Sequence, residues 1–370
     1  MIIGIPKEIK DNEKRVSLTP YGSSELVKTG NKVLIETNAG SGSGFTDQNY
    51  INSGAIICEN PDEIFSESDL IVKVKEPQPD EINKIKEDQI VFTFFHFAAC
   101  DELTRNVLDT GCTAIAYETV QEKDNTLPIL IPMSEVAGRM SVQNGAKCLE
   151  GNMGGKGKLL GGVPGVDAST VTILGGGVVG SNAAKLAAGL GAKVYILDVN
   201  MNRLRYLDDV MPANVTTLYS NKYNLNKMVE TSDLLIGAVL VPGKAAPKLV
   251  SKELVSSMQN GSVIVDVAVD QGGCVETCKP TTHNNPVFQV DNIVHYCVAN
   301  MPGAVPHTST LALTNITLPY IKKVCKNPLK ELIDYNEPIK LGLNTFNGLI
   351  THEAVAESFN MNYTSPSELL

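Results

Sequence analysis

A chain of 370 residues and 39.7 kDa is long enough for two domains and too long for one small module. Its 43% hydrophobic and 19% charged content, with a mean hydropathy of -0.01, excludes a disordered chain and provides for a packed core. A formal net charge of -10 opposes nucleic acid and anionic lipid, so neither is expected as a partner, and a small anion would bind only at locally placed cations.

In chain order, MIIGIPKEIK shows no charged n-region, apolar core and cleavage site, so no secretory leader is expected. The runs at 2–5, 32–36, 55–58, 70–74, 89–95 and 113–117 are short, apolar and β-rich, and read as buried strands. Thr19-Pro20 and Asn60-Pro61 open helices between them, and Gly30 closes the first. This alternation predicts a mostly parallel sheet covered on both faces. A helix over 134–149 then precedes the glycine-rich 151–165, read as a loop. A second β/α series follows, with strands at 170–174, 193–197, 215–218, 234–238, 262–266 and 294–298. From Thr308 the chain reads as helix to Lys326, then as a polar tail with a shorter helix near 352–359. The expected fold class is α/β: two doubly wound, Rossmann-like domains with a cleft between them. The most apolar stretches, 90–100 and 234–241, are shorter than the roughly 18 residues that begin to suggest a membrane span. Eight cysteines scattered along the chain read as free thiols in a reducing cytoplasm.

The strongest local signal is Gly175-Gly176-Gly177-Val178-Val179-Gly180, a G-x-G-x-x-G match with a strand running into it and a small-residue helix running out. Gly175 permits the turn, Gly177 lets backbone N–H groups and the helix start at Val178 approach a pyrophosphate, and Gly180 lets helix and sheet pack closely. Asp198 lies 23 positions after Gly175, near the roughly 20 expected for the carboxylate that holds a ribose diol. That spacing favours NAD, with Arg203 and Arg205 as a counter-signal for NADP. Gly40-Ser41-Gly42-Ser43-Gly44 lacks the third glycine, and 151–165 holds no P-loop match.

Polar residues at the carboxyl ends of the strands are the next candidates. Arg15 follows the first strand, Lys75 the run at 70–74, His96 the run at 89–95, and Asp270 the run at 262–266. A guanidinium fork suits a carboxylate, an ammonium suits a carbonyl, and an imidazole moves protons near neutral pH. The chemistry fits a small 2-oxo or 2-amino acid. The alternatives are solvated surface charges for Arg15 and Lys75, a hydrogen-bonded core residue for His96, and a loop cap or turn for Asp266 and Asp270. Cys274 and Cys278 have no second Cys/His pair, so no metal site is expected.

With these residues in place, GIPKEIKDNEKRVSLTP, PMSEVAGRMSVQ, VTILGGGVVG, GAVLVPG, VIVDVAVDQGGCVET, VHYCVANMPGAVPHTSTLALTN and THEAVAE together resemble the alanine dehydrogenase family, which includes the NAD-binding part of proton-translocating transhydrogenase. The resemblance covers nearly the whole chain. It implies NAD-linked, reversible deamination of L-alanine to pyruvate and ammonium. Arg15 and Lys75 would hold the substrate, His96 and Asp270 would handle protons, and Met133 and Asn300 would shape the pocket. Ser134, Asp198, Arg203, Ser220, Val239, Val267, Asp270 and Met301 would contact NAD. It also implies a homo-oligomer, commonly a hexamer, with a discontinuous substrate domain (1–128 and 307–370) and an NAD-binding domain (129–306). His307 and the Phe95 and Phe97 neighbours of His96 depart from the family's usual residues. The alternatives are a transhydrogenase NAD(H)-binding component and an opine- or saccharopine-type dehydrogenase.

Overall fold

The apolar runs of the N-terminal third become the strands β1 (Ile2–Ile5), β2 (Lys32–Glu36), β3 (Ile56–Cys58), β4 (Leu70–Val72), β5 (Ile90–Thr93) and β6 (Thr113–Ala116) in a computed structural model that describes residues 1–239 and 246–369. These strands are parallel and lie in the order β6-β5-β4-β1-β2-β3. The chain runs outward from β1 to β3, then returns to the other side of β1 as β4. The loops after β1 and β4 therefore flank the topological switch point, where open α/β sheets place their ligands. Leu34, Phe65, Ile71, Val91, Phe95 and Val107 share one core. Capping sets the helix starts: the Thr19 hydroxyl accepts the Gly22 N–H ahead of Pro20–Lys28, and the Asn60 side chain accepts the Asp62 N–H ahead of Pro61–Glu67.

The chain divides into two compact units, Met1–Met133 with Val305–Leu370, and Ser134–Ala304. The C-terminal segment contributes the helix Pro306–Lys326, whose Thr310 hydroxyl accepts the Val16 N–H at 3.1 Å. The expectation of a polar tail fails here. The last two strands in chain order extend this sheet: Leu343–Phe346 (β14) pairs antiparallel with β6, and Leu349–Ile350 (β15) pairs with β14. The turn is Asn347-Gly348, at φ 46 and 77, the backbone that a two-residue hairpin requires. Polarity does not mean exposure in this segment. Asn344 donates to Thr119 Oγ1 and to the Gly342 carbonyl, and Thr345 donates to the Cys112 carbonyl, so both are buried with partners.

The second unit holds β7 (Thr170–Leu174), β8 (Lys193–Asp198), β9 (Val215–Tyr219), β10 (Leu234–Gly237), β11 (Val263–Asp266), β12 (Val287–Val290) and β13 (Ile293–Tyr296), in the order β12-β13-β11-β10-β7-β8-β9. All pairs are parallel except β12 with β13. The sequence reading missed β12, which reaches β13 through Asp291 and Asn292, both at positive φ. The switch point lies between β7 and β10. Leu174, Leu197, Leu235, Val255 and Ile264 are part of its core.

Several boundaries differ from expectation. The helix expected over 134–149 spans Leu130–Cys148, with Pro132 tolerated in its first turn. Within 151–165 there is a short 3-10 turn, Gly151–Met153. β4 stops at Val72 and β5 at Thr93, so Lys75 and His96 stand on loops beyond the strand ends. The GAVLVPG block, residues 237–243, lies partly outside the described residues. Among the described residues no helix is long and apolar enough to cross a membrane.

Candidate functional site

In the second unit the glycine motif forms the turn from β7 into the helix Val178–Gly189. Gly175 has φ 98, a left-handed backbone that L side chains rarely adopt. A Cβ on Gly180 would lie 1.9 Å from the Gly175 carbonyl oxygen, so only glycine allows the helix to pass so close to the strand end. A Cβ on Gly177 would meet nothing within 4 Å. Gly177 is the helix N-cap, and no side chain caps it. The first N–H groups of that helix thus face open space with the positive end of the helix dipole behind them, as a pyrophosphate needs.

Asp198 ends β8, and its carboxylate accepts the Gly176 N–H at 2.7 Å and the Asn200 N–H at 2.8 Å. Each oxygen keeps acceptor capacity for a ribose hydroxyl. Arg203 donates to the Gly176 carbonyl and lies 5.0 Å from the Tyr206 ring centroid. Its guanidinium is thus tied to the glycine turn, the reverse of a side chain reserved for a 2′-phosphate. Ser220 follows β9 directly. The donor set fits a dinucleotide with free ribose hydroxyls.

At the other side of the same switch point, Val239 follows β10, Val267 and Asp270 follow β11, and Asn300 and Met301 follow β13. The buried Asp266 shapes this edge. Its carboxylate accepts N–H groups from Ala268 (3.0 Å), Cys274 (2.9 Å) and Val275 (3.2 Å), which closes the loop that carries Asp270. Burial pushes the Asp266 carboxyl up, against those three hydrogen bonds. Asp270 is exposed and accepts the N–H of Asn300, which has φ 60, at 3.3 Å. Met301 is buried, in a short 3-10 turn. Ser134 is half-buried in the helix Leu130–Cys148.

In the first unit, Arg15 is 2% exposed, which rules out a solvated surface charge. Glu13 receives its Nε at 2.7 Å and its Nη2 at 2.5 Å, and Met133 Sδ lies 3.0 Å from Nη1. Lys75 is half-buried. Burial and the charge of Arg15 lower its pKa, so its proton is more readily shared than that of a surface lysine. Its loop is fixed from behind: Glu8 accepts the Val74 N–H at 2.6 Å, and fully buried Lys73 bridges Glu8 (3.1 Å) and Glu81 (2.7 Å). Burial opposes the Lys73 charge, but the two carboxylates outweigh it and raise its pKa.

His96 is exposed and is not a core histidine. It has φ 56, and its ring stacks at 5.7 Å on Phe94 with an interplanar angle of 4°. Crowding by the surrounding chain lowers its pKa, and the charges of Lys75, Lys10 and Arg15 lower it further. A neutral imidazole able to accept a proton at pH 7 results. His307 donates from Nδ1 to the Ser43 carbonyl at 2.7 Å, a contact within the first unit.

The sequence reading missed Glu8, Glu13, Lys73, Glu81 and Glu118, whereas Asp266 caps its loop as expected. One of them carried a signal: Lys73 is a charge inside an apolar run, and a lysine there survives only if paired. Among the described residues no group of three or more His, Cys, Asp or Glu side chains is arranged to hold a metal ion.

Comparison with known proteins places this geometry. Residues 4–137 match the model for the N-terminal domain of alanine dehydrogenase/PNT, and 141–353 match its C-terminal domain. The chain is 54% identical to an alanine dehydrogenase of Methanococcus maripaludis, with 100% of each chain covered. A solved L-alanine dehydrogenase superposes with a TM-score of 0.94 at 51% identity, covering 97% of this chain and 99% of that one. A transhydrogenase from Sinorhizobium meliloti shares the fold, with a TM-score of 0.80 at 24% identity over 96% of this chain and 100% of that one. The chain belongs to the alanine dehydrogenase/PNT family.

Proposed function

We propose that this protein is an NAD-dependent L-alanine dehydrogenase, which interconverts L-alanine with pyruvate and ammonium. The observation that carries the reading is the gathering of Arg15, Lys75 and His96 on loops at one sheet's carboxyl edge, in a chain that aligns end to end with alanine dehydrogenases. NAD, when bound, supplies the hydride acceptor; Gly175, Gly177, Val178, Gly180, Asp198, Arg203, Ser134, Ser220, Val239, Val267, Asp270 and Met301 are the residues assigned to hold it.

The chain's own groups perform the rest. Arg15 takes the substrate carboxylate, and Met133 and Asn300 are the residues assigned to select a small side chain. Alanine reacts with its amine deprotonated, and loss of hydride from C2 leaves a protonated imine. His96 accepts a proton from the water that adds to the imine carbon, and Asp270 is the second residue assigned to proton handling. Lys75 donates to the new oxygen and stabilises its developing charge. Collapse of the carbinolamine passes the proton held by His96 to nitrogen, releases the hydroxyl proton to solvent as the C–N bond breaks, and frees ammonia and pyruvate. The residues 1–128 and 307–370 are assigned to the substrate and 129–306 to NAD. A cytoplasmic homo-oligomer, a hexamer as the family resemblance implies, is the assigned setting.

The test is spectrophotometric. NADH should appear with L-alanine and NAD, and disappear with pyruvate and ammonium, while larger amino acids react poorly. Binding of NADH without alanine-dependent turnover would favour a transhydrogenase-type nucleotide carrier instead.

A further inference from the structure

In the first unit the carboxylate of Glu118 has no part in the proposed reaction as described above. β5 and β6 are neighbouring parallel strands, paired through Thr93 and Ala116. Both end there, and the chain beyond each turns toward the other. Glu118, in the short turn Tyr117–Thr119, receives the Phe95 N–H at 3.3 Å on Oε2 and the His96 N–H on Oε1. The two donors are consecutive backbone groups. His96 is the residue that has left the strand for the left-handed region, at φ 56 and ψ 39, and its side chain makes no capping bond of its own.

A non-glycine residue in that region is strained unless its surroundings over-determine it. Here a single carboxylate supplies the determination, because it satisfies both N–H groups that the turn leaves without a ladder partner. We propose that Glu118 is the positioning residue of the active site: by clasping the Phe95 and His96 amides it holds His96 left-handed, and so fixes where the imidazole stands. The proposal rests on the dehydrogenase reading for its consequence in turnover, but not for its geometry.

The charge of Glu118 matters as well as its shape. Burial outweighs the lowering by the Glu118, His96 and Phe95 N–H groups and the charge of Lys75, and its carboxyl is raised to about 7. Lys75, on the loop after β4, is the charged side chain acting on Glu118; Lys10 and Arg15, on the loop after β1, act with Lys75 on His96. Protonation of Glu118 below neutrality weakens both amide bonds and loosens the turn.

The test uses the full-length protein and the variants E118Q and E118D. General acid–base catalysis is worth about 10²–10⁴-fold, and misplacing the base forfeits part of it, so kcat of E118Q should fall ~10-fold or more. KM for pyruvate and Kd for NADH should stay within ~2-fold, because the substrate and cofactor contacts are untouched. The wild-type acid limb of kcat near pH 7 should disappear in E118Q and persist in E118D, whose shorter carboxylate reaches only one amide and gives an intermediate kcat. The rate at which diethyl pyrocarbonate modifies His96, read by peptide mass spectrometry, should change in E118Q without any turnover being required. Unchanged modification and an unchanged pH profile in E118Q would overturn the proposal, as would parallel loss of kcat, substrate affinity and NADH affinity. If E118Q does not fold, E118D with wild-type kcat and wild-type modification rate would overturn it. A wild-type protein that does not reduce NAD with alanine sinks the dehydrogenase reading alone, and the modification rate then decides the role of Glu118.

Discussion

Glu13 holds Arg15 with both carboxylate oxygens, Oε1 on the Arg15 Nε and backbone N–H, and Oε2 on Nη2. Both side chains are out of water, Arg15 at 2% and Glu13 at 0% exposure. The pair fixes the plane of the guanidinium before any substrate arrives, a preorganisation that a mobile surface arginine lacks.

Removing Glu13 takes from the buried Arg15 the carboxylate that it meets at three N–H groups. Glu13→Ala is expected to lose about 3–5 kcal/mol of stability, measurable by urea denaturation. Arg15→Lys keeps the charge but not the fork. It forfeits a charge-assisted hydrogen bond of about 1.5–3 kcal/mol, which predicts a KM for pyruvate raised ~10-fold or more. An unchanged KM would remove Arg15 from the carboxylate site.

Two glycines of the same motif should respond to a methyl group in opposite ways. Gly180→Ala puts that methyl 1.9 Å from a carbonyl oxygen, so the strand and helix must separate, at an expected cost of about 1–3 kcal/mol in thermal or urea unfolding. Gly177→Ala meets nothing within 4 Å and should fold normally. Its methyl nonetheless enters the space assigned to the pyrophosphate, so fluorescence titration should show NADH binding weakened ~10-fold or more. Full NADH affinity in Gly177→Ala would place the cofactor elsewhere.

Lys73 separates two carboxylates in a dry site. In Lys73→Met, Glu8 and Glu81 face each other with no cation between them. The folded variant then retains protons that the unfolded chain releases, so its stability falls as pH rises. A deficit of about 3–5 kcal/mol is expected near pH 8 and a smaller one near pH 5, from urea denaturation at both. A deficit that is the same at both pH values would show that the carboxylates are solvated.

His96 has a lowered pKa in the folded chain. The unfolded chain therefore takes up this proton first, and the contribution to stability is complete above roughly pH 6.5 and lost as pH falls below it. Calorimetry should find a smaller drop in Tm from pH 7 to pH 5 in His96→Gln than in the wild type. The same variant should lose about 10²–10⁴-fold in kcat while binding NADH normally.

The glycine motif was legible because its constraints are local: a turn, a close approach and a helix start fall within one short segment. The supporting carboxylates were not. Glu8 meets Val74 at a separation of 66 residues, and Glu118 meets His96 at 22, through backbone amides that leave no trace in side-chain pattern. His96 misled in a different way. Among phenylalanines it reads as core, but β5 ends at Thr93 and the left-handed backbone turns the ring outward, so strand alternation no longer applies. The Asn347-Gly348 hairpin had a strong signal in the sequence, which the polarity of its flanks concealed.

The edge that β14 and β15 complete has a consequence for biosynthesis. The ribosome releases β1 to β6 first, yet the strand that covers the outer side of β6 is encoded after the entire second unit. Until then β6 offers its free amides and carbonyls to any passing strand, which makes the nascent polypeptide a client for chaperones and a hazard for misassembly.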